Sequence, residues 1–348
     1  KEGDLAAARE YNEQSVAIYQ QLQKKLQSVG GDAIYRQFSE EARLMGAEQY
    51  CRNASIQLAN VYREECRRAV QAGDARQEER WLRKILEVEE PFQQGDPYPP
   101  NRLHHALGRS RLGKLCADRG DDRAAEEQYL RAYELLEELH SKFSLQDALK
   151  GMLLCLSRLG ALYRSRGELE QAERRYRQYL ELGRKYSGTK GNIEPEKSCV
   201  IALEGLGAVA QARKDEAAVK RYRFESLAAF RQYFERVRTE EVWKLFLQKN
   251  SAVFQRCQGP EELLQAGAQL SQALEVWRGK WEKNGSLQAA CRLLEGWIEL
   301  GKALAPQAPE EARSAFDQAL QFAQGLPEKQ RGPEIENLVA ETYSSKAR

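Results

Sequence analysis

The sequence predicts an all-α protein, a right-handed superhelix (α-solenoid) of antiparallel helix pairs. Three observations carry this: a 47-residue self-similarity, a turn signal in the same frame, and helical spacing of small and aromatic residues between the two. The dipeptide Leu112-Gly113 recurs as Leu159-Gly160, as Leu206-Gly207 and, past a degenerate copy at Val253-Phe254, as Leu300-Gly301. A glycine followed by an acid recurs at Gly73-Asp74, Gly120-Asp121 and Gly167-Glu168, and then as Lys214-Asp215. Beyond each turn, Ala125, Tyr129 and Ala132 recur as Ala172, Tyr176 and Tyr179. Looser copies are Ala266, Leu270 and Ala273 and, with a one-residue slip, Ala312, Phe316 and Ala319. Offsets of four and three put these residues on one helical face.

Each residue type has a physical reason. Small residues such as Gly160 and Ala172 sit where the backbones of a helix hairpin approach, which leaves the space beside them to the aromatic Tyr176. Gly120 and Gly167 end the first helix, because positive φ is cheap only without a β-carbon, and the acid that follows suits the next N-terminus. The run Tyr129, Ala132, Tyr133, Leu136 and Leu139 has the spacing of a buried helix stripe.

In chain order, Asp4 to about Val29 reads as a helix ended by Gly30-Gly31, with Asp32 placed to cap the next. Gly3-Asp4 and Gly73-Asp74 stand 70 residues apart, so the stretch between Ala33 and Gln71 carries an insertion broken near Gly46. Pro91 to Pro100 reads as an extended loop and Ser187 to Glu196 as a second one. Further boundaries fall near Thr239, Gly259-Pro260, Gly285, Ala305 to Pro309 and Pro327 to Pro333. One repeat domain over 1–348 is expected, irregular over 1–72 and built of units of about 47 residues over 73–348. Because Lys1 opens in the middle of a helical turn, the chain reads as a piece of a longer protein.

The string Leu159-Gly160-Ala161-Leu162-Tyr163, then Gly167-Glu168-Leu169-Glu170-Gln171-Ala172 and Tyr176, resembles a tetratricopeptide repeat. It matches that family's Leu-Gly-x-x-Tyr, Gly-acidic turn and Ala-x-x-x-aromatic positions. The period departs from the family's usual 34 or so residues, which implies longer helices and overlaps the range of HEAT and armadillo units. The resemblance implies a concave face lined by the first helix of each unit, used to bind a peptide or protein segment.

Charge and composition narrow the function. Basic and acidic residues number 54 and 52, for a net charge of +2, so no basic excess points to nucleic acid. The longest apolar run, Met152 to Leu156, is far too short to span a bilayer, so no membrane partner is expected. Seven scattered cysteines without a CxxC pair read as reduced core residues of a cytoplasmic protein. Of three histidines, His104 and His105 read as surface residues at a helix start and His140 as similar; no metal site or cofactor is expected. The paired carboxylates Glu64-Glu65, Glu89-Glu90 and Glu240-Glu241 read as solvated faces or helix-end charges. So do the basic clusters Arg174, Arg175, Arg177 and Lys220, Arg221, Arg223. The tryptophans read as inter-helix core, with Trp277 and Trp281 stacked on one face.

No P-loop, GxGxxG, HExxH or GxSxG motif is present, and the chain reads as non-enzymatic. The family's groove positions fall here on Ser110, Arg111, Lys114, Ser157, Arg158, Ala161, Arg164, Glu204, Gln211, Ser251 and Gln255. Arg111, Lys114, Arg158, Arg164 and Gln211 are the expected partner-binding residues. The carboxylate-clamp pattern of two Lys, two Asn and an Arg is not reproduced. The expected function is a scaffold that binds a protein or peptide; the alternative is a peptide-sensing regulatory arm of a larger signalling protein.

Overall fold

The computed structural model describes residues 56, 59–90, 99–189 and 192–347. The expected helix at Asp4 to Val29, most of the insertion between Ala33 and Gln71 with its break near Gly46, and most of the loop at Pro91 to Pro100 lie outside them. All regular structure among the described residues is helical. Helix α1 covers 59–71 and α2 Ala75–Glu89; α3 (Pro99–Asp118), α4 (Asp122–Phe143) and α5 (Gln146–Ser165) follow. Then come α6 (Leu169–Tyr186), α7 (Glu194–Ala212), α8 (Glu216–Val237), α9 (Glu240–Phe254) and α10 (Pro260–Asn284). Helices α11 (Leu287–Leu304), α12 (Pro309–Gly325) and α13 (Pro333–Lys346) complete the chain. It divides into two compact units, with a boundary between Leu162 and Tyr163 inside α5.

In each unit, helices adjacent in sequence pack as antiparallel neighbours. In the first, α2 packs on α3 and α3 on α4; in the second, contacts run in order from α6 to α13, with α8 also meeting α10 and α9 meeting α11. The turns explain the antiparallel pairing. Gly73, Gly120, Gly167 and Lys214 all have positive φ, between 60° and 85°. The next residue in each turn donates its N–H five residues back, to Ala69, Cys116, Tyr163 and Ala210, closing the helix end at 2.9 to 3.0 Å. Asp74, Asp121 and Asp215 then accept backbone N–H bonds that start the following helix. Glu168 makes no such bond, its carboxylate being one methylene further out.

Close approach within a hairpin is set by glycine facing a ring. A β-carbon at Gly113 would stand 2.8 Å from the Tyr129 ring, and one at Gly301 would stand 2.5 Å from Phe316. The third copy differs: Gly207 has ordinary room beside Tyr222, while Gly205 takes the Tyr176 ring of the preceding helix. Bulky aromatics fill the rest. Phe234, Trp243, Phe246 and Trp277 pack with centroids 5.2 to 6.2 Å apart. Trp281 does not stack on Trp277 as expected; it meets Phe322 at 5.0 Å, since four residues of helix carry it past the end of that cluster.

The proline-bearing loops are shorter than the sequence suggests. Pro99 and Pro100 open α3 and Pro195 sits in the first turn of α7, positions where a missing N–H costs nothing.

Lys214 bears the steric cost that the other three turns avoid. Lys214→Gly is expected to raise unfolding free energy by up to about 1 kcal/mol, and Gly120→Ala to lower it by a similar amount. Gly301→Ala should cost about 1–3 kcal/mol through the Phe316 clash. Urea titrations of the three variants beside the wild-type chain read all three.

Candidate functional site

The expected partner-binding residues of the first unit spend their charge inside it. Arg111 forks onto Glu78 across α2 and α3, with Nη2 2.9 Å from Oε2, and Glu78 is only 4% exposed. Lys114 pairs with Asp118 one turn on. Arg158 donates to the Ser110 carbonyl at 2.8 Å and to its hydroxyl at 3.2 Å, while covering the Tyr129 ring. Ser110 itself is buried, with the Cys155 thiol 3.6 Å from its hydroxyl. Ser157 is half-buried and Ala161 exposed.

A buried polar cluster beside these residues corrects the surface reading of His105. His104 faces solvent, but its neighbour, about 100° further round the helix, is 1% exposed. His105 Nε2 lies 3.0 Å from Arg109 Nε and 3.1 Å from a Glu90 carboxylate oxygen, and its Nδ1 lies 3.2 Å from Glu89. Glu89 also takes Arg63, and Arg109 also takes Glu90 and Gln128. Glu89 is thus a buried acceptor and not a solvated end charge. Arg102 binds Glu138, which Lys142 also holds at 2.7 Å. His140 is half-buried, with Nδ1 3.1 Å from the Leu145 carbonyl. Among the described residues no group of His, Cys, Asp and Glu is placed to hold a metal ion.

Nucleophile chemistry finds little support in the thiols. Burial pushes Cys155, Cys199 and Cys291 up to about 11, the opposite of an activated thiolate. All the described cysteines are free.

The second unit offers space. Arg164 is exposed and reaches the Tyr176 hydroxyl, whose ionisation burial pushes up and this cation pulls back only in part. Two clefts open where first helices of successive pairs lie side by side. The one bounded by α7, α8 and α9 holds about 370 Å³, with Glu204 and Gln211 on its wall. The one bounded by α9, α10 and α11 holds about 350 Å³, with Ser251 and Gln255. Small residues make the first cleft: Gly207, Ala208 and Ala252 leave open a floor of Leu203, Val253 and Phe230. Glu204 pairs with Lys249 across it. In the second, Asn250 is 1% exposed; its Nδ2 donates to the Ala266 carbonyl at 3.3 Å and its Oδ1 has no hydrogen-bond partner. Arg223 departs from the solvated-face reading of its cluster, because it lines the first cleft with Arg256. Sequence reasoning missed both as site residues: Arg223 sits in a basic cluster whose pattern suits a solvated face, and Arg256 lies past the end of α9, outside the helical spacing that marks groove positions.

Among the described residues no helix is long and apolar enough to cross a membrane. No family model and no curated protein matches the chain. Several solved structures resemble it in part. BtubC from P. vanneervenii is 17% identical, with 72% of this chain and 91% of that one covered at a TM-score of 0.40. The S. pombe nuclear import adaptor Nro1 is 11% identical, with 82% and 98% covered and a TM-score of 0.39. A tetratricopeptide repeat protein from Parabacteroides merdae is 16% identical, with 82% and 98% covered and a TM-score of 0.27. At these identities and scores the likeness says nothing of activity or partner.

Two outcomes separate structural charges from free ones. Arg111→Ala strands the buried Glu78 carboxylate; the arginine is 43% exposed, so screening holds the loss below that of a fully buried pair, to about 2 kcal/mol in a denaturant titration. Arg102 first, with Lys142, holds the Glu138 carboxyl down at about 2 from an ordinary 4.5. A depressed carboxyl stabilises the fold above its unfolded value and stops doing so as pH falls through its folded one. The stability gap between wild type and Glu138→Gln, followed by denaturant midpoint, should therefore be full above about pH 4.5 and close as pH approaches 2.

Proposed function

We propose that the protein is a non-enzymatic interaction scaffold that binds an extended segment of a partner protein along the face made by α7, α9 and α11. The observation that supports this reading most is the pair of clefts of about 370 and 350 Å³ flanking α9. Both lie at the small end of the range for ligand pockets, a size that suits side chains of a peptide laid across the helices. Each 47-residue unit would contribute one helix to this face and one to its backing. Gln211 belongs to the face; Arg111, Lys114 and Arg158, bound up in the first unit, support it less.

Main-chain and side-chain groups of an extended peptide need both apolar pockets and polar partners at short intervals. The α7–α8–α9 cleft combines Leu203 and Phe230 with Gln211 and the Glu204–Lys249 pair, which supplies both.

Ala252 is exposed and lines that cleft, so Ala252→Trp fills it without entering the core. Peptides selected from a random displayed library on the full chain are expected to bind the Ala252→Trp variant at least about tenfold more weakly. If every selected peptide binds both chains equally, the face is not the binding site.

A further inference from the structure

We infer that the α7–α8–α9 cleft recognises a carboxylate side chain, Asp or Glu, carried beside an aliphatic residue of the bound segment; this rests on the proposed peptide-binding role and gives its ligand a chemistry. Arg223 on α8 and Arg256 just past the end of α9 both line the mouth of the cleft. Arg223 Nη1 donates to the Arg256 carbonyl at 3.2 Å, which pins the two residues side by side.

That contact caps the C-terminal end of α9 and engages one of the five N–H donors of a guanidinium. Neither arginine forms an ion pair among the described residues. Cations close by in sequence are matched: Lys220 with Glu262 at 2.6 Å, Arg213 with Glu170 at 3.2 Å, and Lys249 with Glu204. Glu262 feels Arg223, but its carboxylate is already held by Lys220. Two positive charges therefore stand uncompensated over an apolar floor of Leu203, Val253 and Phe230.

An oxyanion is the group such a mouth lacks, and the forked donors of arginine fit a planar carboxylate bidentately. Glu204 on the opposite wall is already paired with Lys249, so an anion in the cleft meets the two arginines. The floor asks for an aliphatic neighbour, which a strand-like segment presents a residue or two away.

The test uses the full chain and peptides displayed internally in a coat protein, so that no free C terminus supplies the anion. Selected peptides are expected to be enriched in Asp or Glu next to Leu, Ile or Val. Replacing that acid by its amide should weaken binding by at least about tenfold. The penalty should vanish in the double variant Arg223→Gln, Arg256→Gln, with its thermal midpoint measured to confirm folding, and shrink without vanishing in the pair Arg223→Lys, Arg256→Lys, which keeps the charge and loses the fork. Peptides that are sensitive to Ala252→Trp yet tolerate the amide overturn the carboxylate inference and leave the cleft as the binding site. Failure to obtain any peptide sensitive to Ala252→Trp overturns both.

Discussion

Two helix backbones approach closely where one of them carries little or no side chain at the crossing, and the facing helix then fills the hollow with something large and flat. Gly113 beneath Tyr129 and Gly301 beneath Phe316 meet this condition within a hairpin, and Gly205 beneath Tyr176 meets it between hairpins. The rings are nearly fully buried, so each joint combines close packing with removal of a large apolar surface from water. Clefts open where the residues between neighbouring first helices are small, as Gly207, Ala208 and Ala252 are.

The two units use charge differently. In the first, Arg109 and Arg102 are buried and meet Glu90 and Glu138, His105 joins them through Glu89, and the more exposed Arg111 reaches the buried Glu78. Burying such groups is tolerable only because nearly every donor finds an acceptor, and that interlocking ties α2, α3 and α4 to one another. In the second unit the buried positions flanking α9 are aromatic and aliphatic. There Arg223 and Arg256 remain available over a cleft. A surface that keeps charge unpaired beside apolar floor is suited to binding something else.

What was legible in the sequence was whatever repeats locally. The turn at Gly120-Asp121 could be read because positive φ and N-terminal capping are properties of two adjacent residues, and the Ala125–Tyr129–Ala132 stripe because helical spacing is short-range. Four of the projected groove positions, Glu204, Gln211, Ser251 and Gln255, do line clefts in the second unit, since the same spacing that marks the core also marks its complement. Ser110 and Arg158 went inward instead: their surroundings depend on how α3 and α5 lie together, 48 residues apart along the chain. The burial of His105 escapes a sequence reading for the same reason, because its carboxylate partner Glu89 lies at the end of α2.

By itself the amino-acid order determined that the described residues are helical, where their hairpins turn and which stripe of each helix faces a neighbour, because these follow from backbone sterics and a period of 3.6 residues. Only the tertiary structure decided which cations are consumed by internal carboxylates and which stand free, and where small residues line up into a cleft. Those outcomes depend on distances between groups far apart in sequence, and Coulomb and packing energies are set by such distances.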